Sequence, residues 1–407
     1  MSEINKNLPN KSVYKLVGKL QDYKWGGNVF IPSLLGQKVT DEPVAEYWLG
    51  AHPNASSTLK VNENKLVDFI NTDPKTILGA RVYKRFHRLP YLFKVLDVKN
   101  MLSIQVHPSK PQAEEGFARE EALGIPRDAA HRNYKDDNHK PEIMVALSDF
   151  WLLHGFKSSE KIKEILLGYP ELHHLMSVFE KDGYEGLYCA VMLEDDEATL
   201  KTLKPLLEEL ESDFDAGKLS KNQPEYWAVK AFRSFCSPDK IDKGIYSIFF
   251  LNLVHLKKGQ AIFQDAGVPH AYLQGQNIEL MANSDNVLRA GLTSKHMDIP
   301  ELLSQVKFCE TIPNVFEGDI LNDNHETVYQ TPVEDFQLSK IELEKNERFA
   351  VKSSSLEIHF VLEGAIQVNA DDYLNLSKGE AFFTIAGCSY EILAQENSLI
   401  FKASCPL

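Results

Sequence analysis

Gly259 to His270 reads GQAIFQDAGVPH and Gly379 to Tyr390 reads GEAFFTIAGCSY. Each has a glycine, five residues, a two-residue step, a second glycine, two residues and then a ring. Ala261 and Ala381, Phe263 and Phe383, and Ala266 and Ala386 fill matching places. Glycines spaced this way permit tight turns and positive φ at strand ends. One copy closes on His270, a residue that ligates metals, and the other on Tyr390, which usually does not. The pair therefore predicts two related β-barrel units, one working and one degenerate.

Outward from these units the texture alternates. Leu89 to Val98 (LPYLFKVLDV) and the alternating Leu102, Ile104 and Val106 read as strands. Between about Ser158 and Phe235 the period changes, with Leu200, Leu203, Leu206, Leu207 and Leu210 at helical steps. Ile162, Ile165 and Leu166, then Leu172, Leu175, Met176 and Phe179, repeat the pattern around Pro170, and Tyr226 to Phe232 suggests one more helix. Strand texture returns at Tyr246 to Leu256 (YSIFFLNLVHL), a charged crossing segment follows at Val315 to Glu334, and an all-β region runs from Phe336 to the end. Strands on both sides of a helical insert indicate a mainly β framework rather than a βαβ one. The expected division is residues 1–155 plus 241–320, a helical insert at 156–240, and a C-terminal β unit at 321–407.

With 407 residues, 43% hydrophobic and 25% charged, the chain can bury a sizeable core. The net charge of -14 argues against nucleic-acid partners, which require basic surfaces. The polar start, Met1 to Lys11, resembles no signal peptide, and Tyr246 to Leu256 is too short to span a membrane. Five scattered cysteines read as reduced thiols, and the sequons at Asn10, Asn54 and Asn375 carry no weight without secretion, so a cytoplasmic location is expected.

Four segments concentrate chemistry. In Ser103 to His107, Gln105 and His107 share a strand face, half of a metal site or else a solvated polar face. In Asn138 to Glu142 (NHKPE), Pro141 keeps Lys140 extended, so Lys140 and Glu142 share one face and His139 takes the other. The alternative there is a charged turn. His270 closes the first glycine unit, and Asn283 to Lys295 (NSDNVLRAGLTSK) mixes acceptors with Arg289 and Lys295, a pattern that a structural loop would also satisfy. No phosphate loop, dinucleotide fingerprint, HExxH or GxSxG is present, so an anion would be held by side-chain cations.

These segments in this order resemble the type I mannose-6-phosphate isomerases. The chain carries Tyr23 to Gly26 (YKWG), Ala45 to Pro53 (AEYWLGAHP), Leu102 to His107 (LSIQVH), Asn138 to Glu142, Pro269 to Leu273 (PHAYL) and Glu279 to Lys295 (ELMANSDNVLRAGLTSK). The resemblance implies cupin-like (jelly-roll) β-barrels, one catalytic and one degenerate at the C-terminus, plus a helical domain. It also implies one zinc per chain held by Gln105, His107, Glu142 and His270. It points to Arg289 and Lys140 as cations at the reacting carbons, and to His139, Asp285 and Glu279 for proton handling. Lys94, Ser103 and Lys295 are implied for binding the sugar phosphate. Ser294, where the family commonly has proline, and the Gln276-Asn277 pair depart from the pattern without touching a ligand.

The implied reaction interconverts mannose 6-phosphate and fructose 6-phosphate through an enediol, whose developing charge a metal or fixed cation stabilises. The base stays open among His139, Asp285 and a lysine of lowered pKa. The partner expected is a small sugar phosphate, with no nucleic acid and no membrane, and a monomer is expected. Two rival readings are a non-catalytic cupin-type sugar-phosphate-binding protein and a cupin-type dioxygenase using His107, His270 and Glu142 on iron.

Overall fold

The computed structural model describes residues 11–321 and 325–406; residues 1–10, which hold most of the polar start and Asn10 of the first sequon, lie outside them. The architecture is mostly β-sheet with helices, and no described helix is long and apolar enough to cross a membrane. The strand Tyr91–Val98 is buried along its whole length, paired with Glu46–Gly50 on one side and His270–Ala282 on the other. A strand covered on both faces needs no alternation, which explains its continuous apolar run. It belongs to a ten-stranded sheet; an eight-stranded and a four-stranded sheet follow. Val13–Val17 crosses over to pair with Ala381–Thr384, and Tyr47 and Phe93 meet Phe360, so the two β regions share one apolar core.

The helical reading of the middle holds. Ser159–Gly168 and Asp196–Asp215 begin where Ser158 and Asp195 accept backbone N–H groups at their N-termini. Leu203, Leu206, Leu207 and Leu210 form one buried face, packed in a core that reaches Val106 and Ala271 of the ten-stranded sheet and the adjoining Ile104. The helices thus brace the strands that carry the site.

Three local expectations need correction. Tyr246 to Leu256 is not one strand: Gly244–Phe250 is a helix and only Leu251–Leu256 extends. Every residue of that helix is buried, so periodicity cannot distinguish it from a buried strand. The charged segment from Val315 holds strands at Asp319–Ile320 and Glu326–Tyr329. Its polarity misleads because Glu326 is buried against Lys402, 2.6 Å away. Finally, only Gln105–Val106 is strand in its segment, since Leu102 and Ile104 bond outward to Tyr272 and Gly291.

The glycine repeat is reproduced in three dimensions. Gly259 and Gly267 have φ of 90° and 77°, and Gly379 and Gly387 have 83° and 80°. Gln264 pairs with Glu142 as Thr384 pairs with Glu357. His270 faces Gln105 as Tyr390 faces Val351. The amide of Gly267 donates to the carbonyl of His107 at 2.9 Å, and that of Gly387 donates to the carbonyl of Ser353 at 2.9 Å. Gln105, His107, Glu142 and His270 therefore correspond in register to Val351, Ser353, Glu357 and Tyr390. Only the glutamate is kept. In the second copy the Tyr390 hydroxyl donates to Glu357 at 2.7 Å and lies 2.9 Å from His359 Nε2. Tyr390→Phe is expected to cost about 1–3 kcal/mol, because a buried carboxylate and imidazole lose their partner. Urea unfolding checks this: a lower midpoint at unchanged slope is expected, and an unchanged midpoint would refute it.

Candidate metal centre

Three strand ends deliver one cluster. His107 follows Gln105–Val106, Glu142 opens Glu142–Ala146, and His270 opens His270–Ala282. His107 Nε2 lies 3.4 Å from one Glu142 oxygen and His270 Nε2 lies 3.6 Å from the other. All three residues are buried, and their candidate donor atoms lie within 4.8 Å of one another. The Nδ1 atom of His107 is 2.9 Å from the Asn286 carbonyl, and that of His270 is 2.9 Å from the Val268 carbonyl. A carbonyl only accepts, so each Nδ1 carries the proton and each Nε2 presents a lone pair.

Burial, aided by the charge of Lys140, lowers the His107 pKa to about 4 against the pull of Glu142, so the ring is neutral near pH 7. Burial would raise the Glu142 pKa, but Lys140 and His107 together hold it well below the usual range. Buried His107 Nε2 has no hydrogen-bond partner. Two imidazole lone pairs facing a buried carboxylate repel one another until a cation sits between them. The donor set therefore fits a divalent metal, and the backbone carbonyls act as the outer partners that orient metal-binding histidines. Gln105 pairs in register with both His270 and Arg289, which puts it at the rim of the cluster.

Lys140 and Glu142 share a face as expected, 2.8 Å apart. His139 takes the opposite face and lies 3.1 Å from both oxygens of Asp335, away from the cluster. Lys94 and Glu279 are brought together at 2.9 Å, with Glu46 at 3.7 Å from the same ammonium. All three are buried. The Tyr272 hydroxyl donates to Glu279 at 2.9 Å, the Trp48 indole donates to Glu46, and the Lys94 ammonium lies 5.1 Å from the Trp48 ring centre. Burial alone would lower the Lys94 pKa, but the two carboxylates raise it, so it stays charged. Sequence reasoning missed Glu46, Trp48 and Tyr272. The alternation of Glu46 and Trp48 in EYWLG was the available signal.

A cavity of about 630 Å³ is lined in part by His52, Arg88, Arg127, Lys135, Asn283 and Asp285, the last of them next in sequence to Asn286, whose carbonyl meets His107. Asp285 Oδ1 is 3.3 Å from His52 Nε2. Arg289 is half-buried, and burial lowers its pKa. Burial, then Arg289 and Lys135, lower that of Lys295. Among the described residues none of these three cations makes an ion pair. Lys295 lies near both Arg289 and Lys135, and three neighbouring cations without ion-pair partners form a candidate anion site, although Asp285 and Asp136 share the cavity wall with Lys135. Lys135 was missed in the sequence; its backbone amide donates to Asn286 Oδ1 at 2.7 Å, which fixes it on the cavity wall. Ser103 is half-buried two residues before Gln105.

Residues 13–159 match the model of the phosphomannose isomerase type I catalytic domain. The chain is similar to the mannose-6-phosphate isomerase of Escherichia coli, at 39% identity over 91% of this chain and 94% of that protein. It is similar to the Homo sapiens mannose-6-phosphate isomerase at 29% identity over 97% and 99%. Among solved structures, mannose 6-phosphate isomerase from Salmonella typhimurium bound to substrate and zinc has a TM-score of 0.86 at 35% identity, covering 98% of this chain and 100% of that one. A zinc-bound mannose 6-phosphate isomerase gives the same TM-score, identity and coverage.

Proposed function

The chain belongs to the type I phosphomannose isomerase family, and on that premise we propose that it interconverts mannose 6-phosphate and fructose 6-phosphate. One zinc per chain would be held by Gln105, His107, Glu142 and His270. The observation that carries this reading is the pair of imidazole lone pairs converging on the buried Glu142. Zinc bound there would supply Lewis-acid charge to the reacting end of the sugar.

The remaining work falls to side chains. Arg289, Lys295 and Lys135 hold the phosphate, Ser103 meets the sugar, and the phosphate's binding energy orients the reacting carbons. Lys140 sets positive charge beside the developing enediolate. Asp285, ionised on the cavity wall, takes the proton that moves between C1 and C2. His139 is the weaker candidate because Asp335 engages its ring. Lys94 and Glu279 act as a coupled pair, with Tyr272 orienting the glutamate.

The test is fructose 6-phosphate formation from mannose 6-phosphate before and after chelation, with zinc added back. Activity lost to chelator and restored by zinc is expected. Folded, zinc-loaded protein that bound the sugar phosphate without turning it over would favour the non-catalytic alternative. Arg289→Met is expected to lower kcat/KM by about ten- to a hundredfold, mostly through KM, as one charged hydrogen bond to phosphate is removed. A change confined to kcat would reassign Arg289 to the reacting carbons alone.

The scaffold we infer is a pair of cupin-like barrels, the catalytic one from residues 1–155 plus 241–320 and the degenerate one from 321–407, around a helical insert at 156–240. The doubled glycine units and their matched pairings support it. A cytoplasmic, monomeric enzyme completes the reading.

A further inference from the structure

Asp285 is backed by a histidine that nothing so far assigns to the reaction. His52 follows the strand Glu46–Gly50 and is only 4% exposed. The Asn54 amide donates to His52 Nδ1 at 3.3 Å, so the ring proton sits on Nε2, 3.3 Å from Asp285 Oδ1. The Trp48 ring packs edge-on against His52, with centroids 5.1 Å apart at 73°, and fixes the imidazole plane. From the other side the Asp285 amide donates to Asp136 Oδ2 at 2.8 Å. The carboxylate itself is about a third exposed and faces the cavity. A core histidine needing only a partner would find a carbonyl, as His107 and His270 do. This one spends its donor on a carboxylate at the cavity wall.

We infer that His52 is a positioning residue: its Nε2–H holds the Asp285 carboxylate ionised and turned toward the substrate cavity. The inference rests on the isomerase reading, in which Asp285 takes the substrate proton. His52 changes no covalent bond; it donates one hydrogen bond throughout. The other charged or titratable groups around Asp285 are Lys140 and Lys135, which favour the ionised form, and Asp136 and Tyr23, whose own titration Asp285 disfavours. A hydrogen bond to the charged form lowers a carboxyl pKa, so losing it raises that pKa. The acid limb of the kcat profile must then move to higher pH.

The test compares zinc-loaded wild type with His52→Leu and His52→Gln, measuring zinc content, kcat, KM and the pH profile with mannose 6-phosphate. Expected for His52→Leu is one zinc per chain, KM within about twofold, kcat reduced roughly tenfold or more, and the acid limb raised by about one pH unit. His52→Gln keeps an amide N–H donor and restores most of kcat and the limb. If the leucine variant does not fold, His52→Phe retains a ring against Trp48 and answers the same question. A folded Leu or Phe variant with unchanged kcat and acid limb would overturn the inference. So would a Gln variant as impaired as Leu. An inactive, zinc-loaded wild type would instead overturn the isomerase reading itself.

Discussion

Replacing His270 by alanine is expected to abolish stoichiometric zinc binding and lower kcat by at least about a thousandfold, roughly 4 kcal/mol of transition-state stabilisation. His270 opens a strand paired on both sides, and its Nδ1 is committed to the Val268 carbonyl. Its Nε2 therefore has no role other than donation toward the cluster. Without it, one imidazole, one carboxylate and the weakly donating amide oxygen of Gln105 remain, a set with a single nitrogen donor that holds zinc far less tightly than the full one. Elemental analysis and turnover, with circular dichroism as a check on folding, decide the matter. A folded His270→Ala protein that kept a full equivalent of zinc and its turnover would remove His270 from the ligand set.

Lys94→Met should damage stability as well as activity. Its ammonium is the buried counter-charge for both Glu279 and Glu46. Breaking a buried ion pair by removing one partner typically costs about 3–5 kcal/mol, and here two like charges would face each other. Burial already raises the Glu279 pKa, and without Lys94 it rises further. A carboxyl with a raised folded pKa holds its proton more tightly when folded, so stability falls as pH rises through the unfolded and then the folded value. The variant should lose more stability at pH 7 than near pH 5. Adding Glu279→Gln should recover part of the loss. Urea midpoints at the two pH values measure both effects; a midpoint equal to wild type at pH 7 would show that the pair is not holding the core.

The fold was legible where local chemistry is unambiguous. The glycines of GQAIFQDAGVPH and GEAFFTIAGCSY demanded turns, and their four positive φ values follow. Lys140 and Glu142 were expected on one face because proline kept the strand extended, and they lie 2.8 Å apart. The same alternation turned His139 away, although family resemblance alone had grouped it with the catalytic residues. Gly244–Phe250 was illegible because an element buried all round shows no period.

The amino-acid sequence by itself determined the donor types, the turns, the helices of the middle segment and the family, since each depends on residue identity within a short stretch. Tertiary structure alone decided which distant groups meet. Glu46 reaches Lys94, His52 reaches Asp285 and Tyr272 reaches Glu279 because paired strands and packed loops bring separate segments together. Buried charges must be compensated by whatever the fold sets beside them, and the identity of that neighbour is a property of packing rather than of local sequence.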